Sequence, residues 1–460
     1  MRTDRLFPLY LAPLERFFLA DVGPEHPMTF TIRLDLTGVV RREAFERAIA
    51  AALKRHPLLH AYVRKAKRNR PCWVHAGDGK PSIDWRSAED PVICENGEHI
   101  CLDRETGLRV WVRQASETAI VVLQFHHACT DGIGAYRFIG DLLASYGLEV
   151  GGTEPLPRLE PVEPAQLRER FAVQVELWAS NDRWGQLRRG LGQLWRLIRN
   201  RPRRLPPRDS SAATAASFPG FFTRSLEADE HEALRQAAQQ IGATLNDLLL
   251  AVLFQTLRAW TFTDRRPSAR DHLRIIMPTD LRSSEHYLTP AACLTSCTFL
   301  SRAARDCEDW NQVLPNVLAQ TQAIRNDRAG LCFSDTVAMG FHVPGLMPLI
   351  LKGPLCLATA VMSNIGDPTR RFTAVLPRRA GRILAGNLTL DDVTGVPPLR
   401  RNTLAAFSAF AYRRRLTICL RCQAPTFSPA DTEQLLDLYV NHLRAAAAQT
   451  KTKVSLGETA

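Results

Sequence analysis

Two batches of alternating strand-like and helix-like segments, separated by a stretch of different texture, constrain this chain more than any other feature. In the first batch "TFTIRLDL" sets Phe30, Ile32, Leu34 and Leu36 on one face, the period of a half-buried strand. "REAFERAIAAALKRHP" repeats apolar residues at Phe45, Ala48, Ile49, Ala52 and Leu53, an amphipathic helix stopped by Pro57. "AIVVLQFHH" follows as a strand, and a helix is expected from about Gly134 to Tyr146. From about Gly151 to Pro219 prolines cluster at both ends, a basic helix lies between, and "DSSAATAAS" has the composition of a flexible connector. Then the pattern restarts. "FFTRSL" is strand-like and "EADEHEALRQAAQQIG" helical. "TLNDLLLAVLFQTLRAW" is a long apolar helix, with Thr244 and Asp247 in capping-box spacing. "LRIIMPTDLR", "CLATAVMSNIG", "GRILAGNLTL" and "AAFSAFAYRRRLTICLRC" follow, before a closing helix from about Pro429 to Ala448. The expectation is an α/β fold of two subdomains sharing an interface, over residues 1–150 and 220–460, joined by a Pro- and Arg-rich connector over 151–219.

Where the first batch passes from strand to helix stands "LQFHHACTDGIGAYRFIGDLL", which begins at Leu123. Three readings fit it: a base held by Asp131, half of a metal site, or a polar turn. Successive strand side chains point to opposite faces, so His126 and His127 do not share a cavity while the strand stays regular. One belongs in the packed interior and the other looks into whatever space opens at the strand end. That disfavours both as ligands of one metal. Asp131 is close enough in the next turn to fix the local geometry, and Gly132 and Gly134 permit tight backbone approach at the helix entry. An imidazole titrates near neutrality, which suits it to take a proton from a hydroxyl or amine. The spacing by itself favours a structural histidine.

The flanks add more. "HHACTDG" between an apolar strand and a helix resembles the HHxxxDG signature of the acyl-CoA- or carrier-dependent acyltransferases. That group includes nonribosomal peptide synthetase condensation domains, chloramphenicol acetyltransferase and the bacterial wax ester synthase/diacylglycerol acyltransferases. "LAPLERFFLAD", "PMTFTIRLDLTG" and "AFERAIAAALKRHPLL" look like the opening of these proteins. "TLNDLLLAVL", "PTDLR" and "SNIG" are similar to later motifs of the wax ester synthase branch. The resemblance implies two chloramphenicol-acetyltransferase-like subdomains in a V with a central substrate tunnel. It implies His127 as catalytic base, Asp131 as the residue that orients the loop through an ion pair, and His126 as the inward structural member beside Gly132. The co-substrate would be acyl-CoA or an acyl carrier protein, with no bound cofactor, and the acceptor an alcohol, a lipid among them, or an amine. Ser363, Asn364 and an amide near Gly132 are candidate oxyanion donors, and Asn246 a tunnel residue. Ser-Asn beside a strand is also a routine turn, and Asn246 with Asp247 also reads as a helix start. Arg282 reads as a carboxylate partner or as an exposed turn. Two departures stand out: "LTLDDVTGVPPL" replaces the "DFGWG" of other branches, and His60 stands where condensation domains carry an arginine, so that Asp131 calls for another cation.

The chain carries a net charge of +12 over 460 residues, and it is unevenly spread. From Arg183 to Arg208 there are nine arginines and no acidic residue. Helical spacing would gather Trp184, Leu187, Leu191, Leu194, Trp195 and Ile198 on one side. This suits contact with anionic lipid or an acidic protein, and equally a basic helix packed on its own protein. No nucleic-acid-binding module is recognisable. No run approaches the roughly 18 to 20 apolar residues that span a bilayer. The N-terminus, with Asp4, Glu15, Pro8 and Pro13, does not read as a signal peptide. Eleven scattered cysteines argue for a reducing cytoplasm, with peripheral attachment to the inner membrane surface as the variant. Cys419 and Cys422 lie three apart on a strand, on opposite faces and without further ligands nearby, so buried thiols are expected rather than a metal site.

Overall fold

The computed structural model describes residues 6–66, 70–175, 192, 195, 199–208, 218–326, 329–343, 345–424 and 426–457. Strands and helices assemble around two large mixed sheets, each with its own apolar core. The first sheet has seven strands in the order Arg378–Arg379, Arg382–Ala385, Leu388–Val396, Thr29–Thr37, Thr118–His126, Leu108–Gln114 and Ser82–Ser87. The helices Arg42–Arg55 and Gly132–Val150 pack on each other, and their apolar stripes join this sheet's core. The second sheet has six strands, ordered Thr295–Ala303, His272–Asp280, Ala360–Gly366, Ala405–Tyr412, Arg415–Cys422 and Phe222–Leu226. The helices Ala228–Gln240, Leu245–Thr261 and Pro429–Gly457 cover it. Two α/β subdomains are thus present. A smaller three-stranded sheet (Leu9–Tyr10, Pro71–His75, Ala61–Lys65) flanks the first lobe.

The sheets do not follow the halves of the sequence. Leu388–Val396 follows the second-sheet strand Ala360–Gly366 in the chain, yet pairs antiparallel with Thr29–Thr37 of the first sheet, Val396 opposite Thr31 and Thr389 opposite Thr37. A boundary at residue 219 separates stretches of chain, whereas the first sheet is completed by residues 378–396. The physical reason is the strand edge. Thr29–Thr37 is buried along most of its length, and without Leu388–Val396 one row of its backbone groups would be unpaired.

Local signals hold where they are strong. Thr244 Oγ1 accepts from the Asp247 amide at 3.2 Å and the Asp247 carboxylate accepts from the Thr244 amide at 2.9 Å, a reciprocal cap on Leu245–Thr261. The helix after the histidines begins at Gly132, two residues earlier than its apolar pattern indicates, because Asp131 caps it by accepting from the Gly134 amide at 2.8 Å. It ends at Gly151, whose φ of +67° suits glycine. Cys419 and Cys422 are buried thiols, both pushed up to about 12 by burial. Among the described residues no single helix is long and apolar enough to cross a membrane; Ala228–Gln240 and Leu245–Thr261 reach that length only together, across a 98° bend. The "DSSAATAAS" connector and most of the Arg183–Arg208 segment, including Trp184, Leu187, Leu191, Leu194 and Ile198, lie outside the described residues. Trp195 is exposed, with the Arg199 guanidinium 4.8 Å from its ring centre.

Candidate active site

Strand alternation separates the two histidines. His126 closes the Thr118–His126 strand, directly opposite Thr29, and is wholly buried. Its Nδ1 accepts from the Ala128 amide at 3.1 Å, so Nε2 carries the hydrogen, and no partner for Nε2 is present among the described residues. Burial, with His99 and His127 nearby, pushes this imidazole down to about 3, so it is neutral at any physiological pH. His127 begins the turn, its amide donating to the Met28 carbonyl at 3.0 Å. Its ring stacks on Phe18 (centroids 4.0 Å apart, planes 15° apart) and meets the edge of Phe30 at 5.2 Å. Nδ1 is buried, and Nε2 is the ring nitrogen left open to the adjacent cavity. Burial lowers the His127 pKa, while its own backbone carbonyl and Asp131 pull the other way. A neutral imidazole with one accessible lone pair is what a proton-accepting role requires.

That cavity, of about 350 Å³, lies between the lobes. The first contributes Phe30, His127 and Tyr136; the second contributes Asn246, Met277 and Ser363. Ser363 faces it from the Ala360–Gly366 strand with no side-chain hydrogen bond to the described residues. Asn364 and Asn246 also line it, but they hold each other: Asn364 Nδ2 donates to Asn246 Oδ1 at 3.3 Å, Asn246 Nδ2 donates to Met277 Sδ at 3.4 Å, and Asn364 Oδ1 accepts from the Gly366 amide. Thr244 and Asp247 provide the helix cap, and Asn246 lies at the cavity wall. Gly132 is at the wall too. A Cβ there would meet only Ile365 Cδ1, at 3.4 Å. The close approach expected of both glycines is found at Gly134, where a Cβ would strike Thr130 Oγ1 and come within 3.0 to 3.1 Å of the Ala292 backbone. Gly134 lies one turn inside the helix, against a strand of chain from the other lobe, whereas Gly132 borders open space.

Asp131 makes no hydrogen bond to His127 among the described residues and sits in a saturated cluster. Arg282 donates to both carboxylate oxygens, at 2.9 and 3.0 Å, in a bidentate pair. The Leu294 amide and Thr295 hydroxyl add bonds of 2.7 and 3.0 Å. Burial alone would raise the Asp131 carboxyl, but Arg282 and the Gly134 and Leu294 amides outweigh it and hold it below the usual carboxylate range. Arg282 is therefore a buried partner rather than an exposed turn residue, and it is the cation that His60 does not supply; His60 bonds the Gly79 carbonyl instead. Phe18, Phe410 and Arg371 also reach the site and escaped sequence reasoning. Arg371 is exposed at the cavity, with no ion pair to the described residues. Of these only Phe18 carried a signal, its adjacency to Phe17 on an apolar helix face.

Known proteins share this family and this fold. A family profile described as the condensation domain matches residues 25–266, just over half of the chain. An uncharacterized protein found in two strains of Mycobacterium tuberculosis is 27% identical over 283 residues, 60% of this chain; the chain spans 62% of the length of these curated relatives. Among solved structures, the first condensation domain of the CDA synthetase superposes with a TM-score of 0.70 at 16% identity, covering 96% of both chains. The trichothecene 15-O-acetyltransferase of Fusarium sporotrichioides gives 0.71 at 13% identity, over 95% of this chain and 94% of that one. Polyketide synthase associated protein 5 from Mycobacterium tuberculosis gives 0.62 at 15%, over 96% and 98%. At such identities these likenesses show a shared fold.

Proposed function

The chain belongs to the condensation-domain family, and from that premise we propose that it is an acyltransferase, with His127 as general base, that moves an acyl group from a coenzyme A thioester to an alcohol. The observation that carries this is the division of labour around His127. Its Nε2 opens on the cavity, while the Asp131 carboxylate is fully engaged by Arg282, Leu294, Thr295 and Gly134 and has no free lone pair for a proton relay. In the proposed reaction the acceptor hydroxyl gives its proton to His127 Nε2 as its oxygen attacks the thioester carbonyl carbon. The tetrahedral oxyanion then collapses, the C–S bond breaks, and the leaving thiolate takes the proton back from the imidazolium. Ser363 Oγ is the better oxyanion donor of the Ser-Asn pair, because the Asn364 amide already serves Asn246. Loss of one such donor costs roughly 10²–10³ in rate.

Family membership itself favours a second reading, in which the acyl group arrives on a carrier protein and the product is an ester or an amide. One assay separates the two: the same acyl group is offered on coenzyme A and on a carrier protein, with alcohols and amines as acceptors, and thiol release and product are followed by mass. His127→Ala should abolish thiol release while leaving the circular dichroism spectrum and melting midpoint intact. Undiminished turnover by that variant would remove His127 from the mechanism. For the acceptor we propose a lipid alcohol, met at an anionic membrane surface on the cytoplasmic side through the Arg183–Arg208 segment.

A further inference from the structure

Apart from the Gly134 amide, the groups that hold Asp131 come from a segment the first lobe does not own. Between the second-sheet strands His272–Asp280 and Thr295–Ala303 the chain leaves its own lobe, and Ala291, Ala292, Cys293 and Leu294, all at most 1% exposed, join the first lobe's core. Several polar groups of this strap have specific partners. The Cys293 carbonyl accepts from Gln174 at 2.8 Å, and the Thr289 carbonyl accepts from Arg137 Nη1 at 2.7 Å. The Ala292 carbonyl accepts from Arg282 Nη2 at 3.1 Å and from the Asp131 amide at 3.3 Å. At the strap's near end the Ala291 amide donates to His56 Nδ1 at 2.8 Å.

His56 stands at the C-terminal end of the Arg42–Arg55 helix and is wholly buried. Because Nδ1 accepts from Ala291, Nε2 carries the hydrogen and donates to Asp141 Oδ2 at 3.1 Å. Arg55 Nε donates to that same oxygen at 2.5 Å, and Thr373 reaches the other at 3.4 Å. A continuous path thus runs from Asp141 through His56, Ala291 and Ala292 to Asp131, whose carboxylate caps the helix four residues beyond His127. We propose that His56 is a positioning residue for His127: by fixing the strap through Ala291 it sets the Asp131–Arg282 pair, and so the His127 turn. The assignment rests on His127 as the base, and its first readout is independent of turnover.

Two isosteres separate the bond to the strap from the bond to Asp141. The Asn side chain places an acceptor where Nδ1 stands and forgoes Asp141; the Gln side chain reaches the Nε2 position and offers Ala291 nothing. In native-state hydrogen exchange, His56→Gln should exchange the Leu294, Gly134 and Ala135 amides at least tenfold faster than His56→Asn, which should stay near wild type. The His127 ring resonances should shift in the Gln variant and not in the Asn variant. With a working thioester assay, kcat should fall about tenfold in His56→Gln with KM unchanged, and return in His56→Asn. Faster exchange confined to Ala291, equal behaviour of the two variants, or equal loss of structure in both would reduce His56 to a core residue and overturn the proposal. A chain that turns over no thioester would count against the acyltransferase reading, while the exchange and resonance comparison would still decide the role of His56.

Discussion

At the scale of single residues, adjacent histidines of one type hold opposite electrostatic positions. His126 is sealed on the inner face of its strand with its pKa near 3, while His127 keeps one nitrogen at the cavity. This has a consequence for stability. In the unfolded chain His126 returns to an ordinary pKa of about 6.5, so below that pH the unfolded state binds a proton that the native state refuses. The sign is therefore fixed: stability falls as pH drops from about 6.5 towards 3, by up to ~1.4 kcal/mol per pH unit from this one group. His56, also lowered by burial, acts in the same direction. Urea midpoints measured at pH 7.5 and pH 5 should drop less in His126→Gln than in wild type; parallel drops would show that His126 is not held neutral. That one histidine is inward and the other faces the cavity was legible in strand alternation, and the resemblance of the motif implied which. The stacking of His127 on Phe18 was not, since that ring comes from a helix more than a hundred residues upstream.

Among elements, the junction from the Thr118–His126 strand to the Gly132–Val150 helix shows how neighbouring glycines differ. Gly134 lies against the Ala292 backbone, and Gly132 borders the cavity. Gly134→Ala should cost ~1–3 kcal/mol as the strap or Thr130 is pushed aside, outweighing the ~1 kcal/mol that alanine gains in a helix. Gly132→Ala should fold with a midpoint near wild type, its methyl in ordinary contact with Ile365. Denaturation of the two variants side by side checks this, and equal midpoints would mean the strap yields freely. The capping box of Thr244 and Asp247 and most strand and helix positions were readable locally, because caps and periodicity are properties of a few consecutive residues. The strap over 289–295 was not, because its apolar run Ala291–Leu294 is too short to show a period and its polar partners are spread over His56, the Asp131–Arg137 helix start and the connector residues Gln166 and Gln174.

For the whole molecule, the lobes are tied by residues 378–396, which complete the first sheet, by the strap that enters the first core, and by ion pairs such as Arg421 with Glu98 and Arg400 with Asp21. Parting the lobes would break the bonds from Arg282, Leu294 and Thr295 to Asp131, four residues beyond His127. The molecule also carries a net +12, with nine arginines and no acid between Arg183 and Arg208. A concentration of positive charge of this kind attracts anionic headgroups over roughly a Debye length, about 10 Å at 0.1 M salt. The intact protein should co-sediment with vesicles of one-third phosphatidylglycerol at 50 mM salt, and release at 0.5 M. Failure to sediment at low salt, or retention that ignores salt, would remove electrostatic membrane attachment.

By itself the sequence determined the two-lobed α/β class, the strand that presents the histidines, and which of them turns outward, since each depends on periodicity or on a short motif. Tertiary structure alone decided that Arg282, 151 residues along the chain, is the partner of Asp131. It alone placed residues 378–396 in the first sheet and the Ala291–Leu294 strap under His56. These are pairings between distant segments, settled by unpaired strand edges and by buried charges that must find partners, and no local pattern records which distant group will supply them.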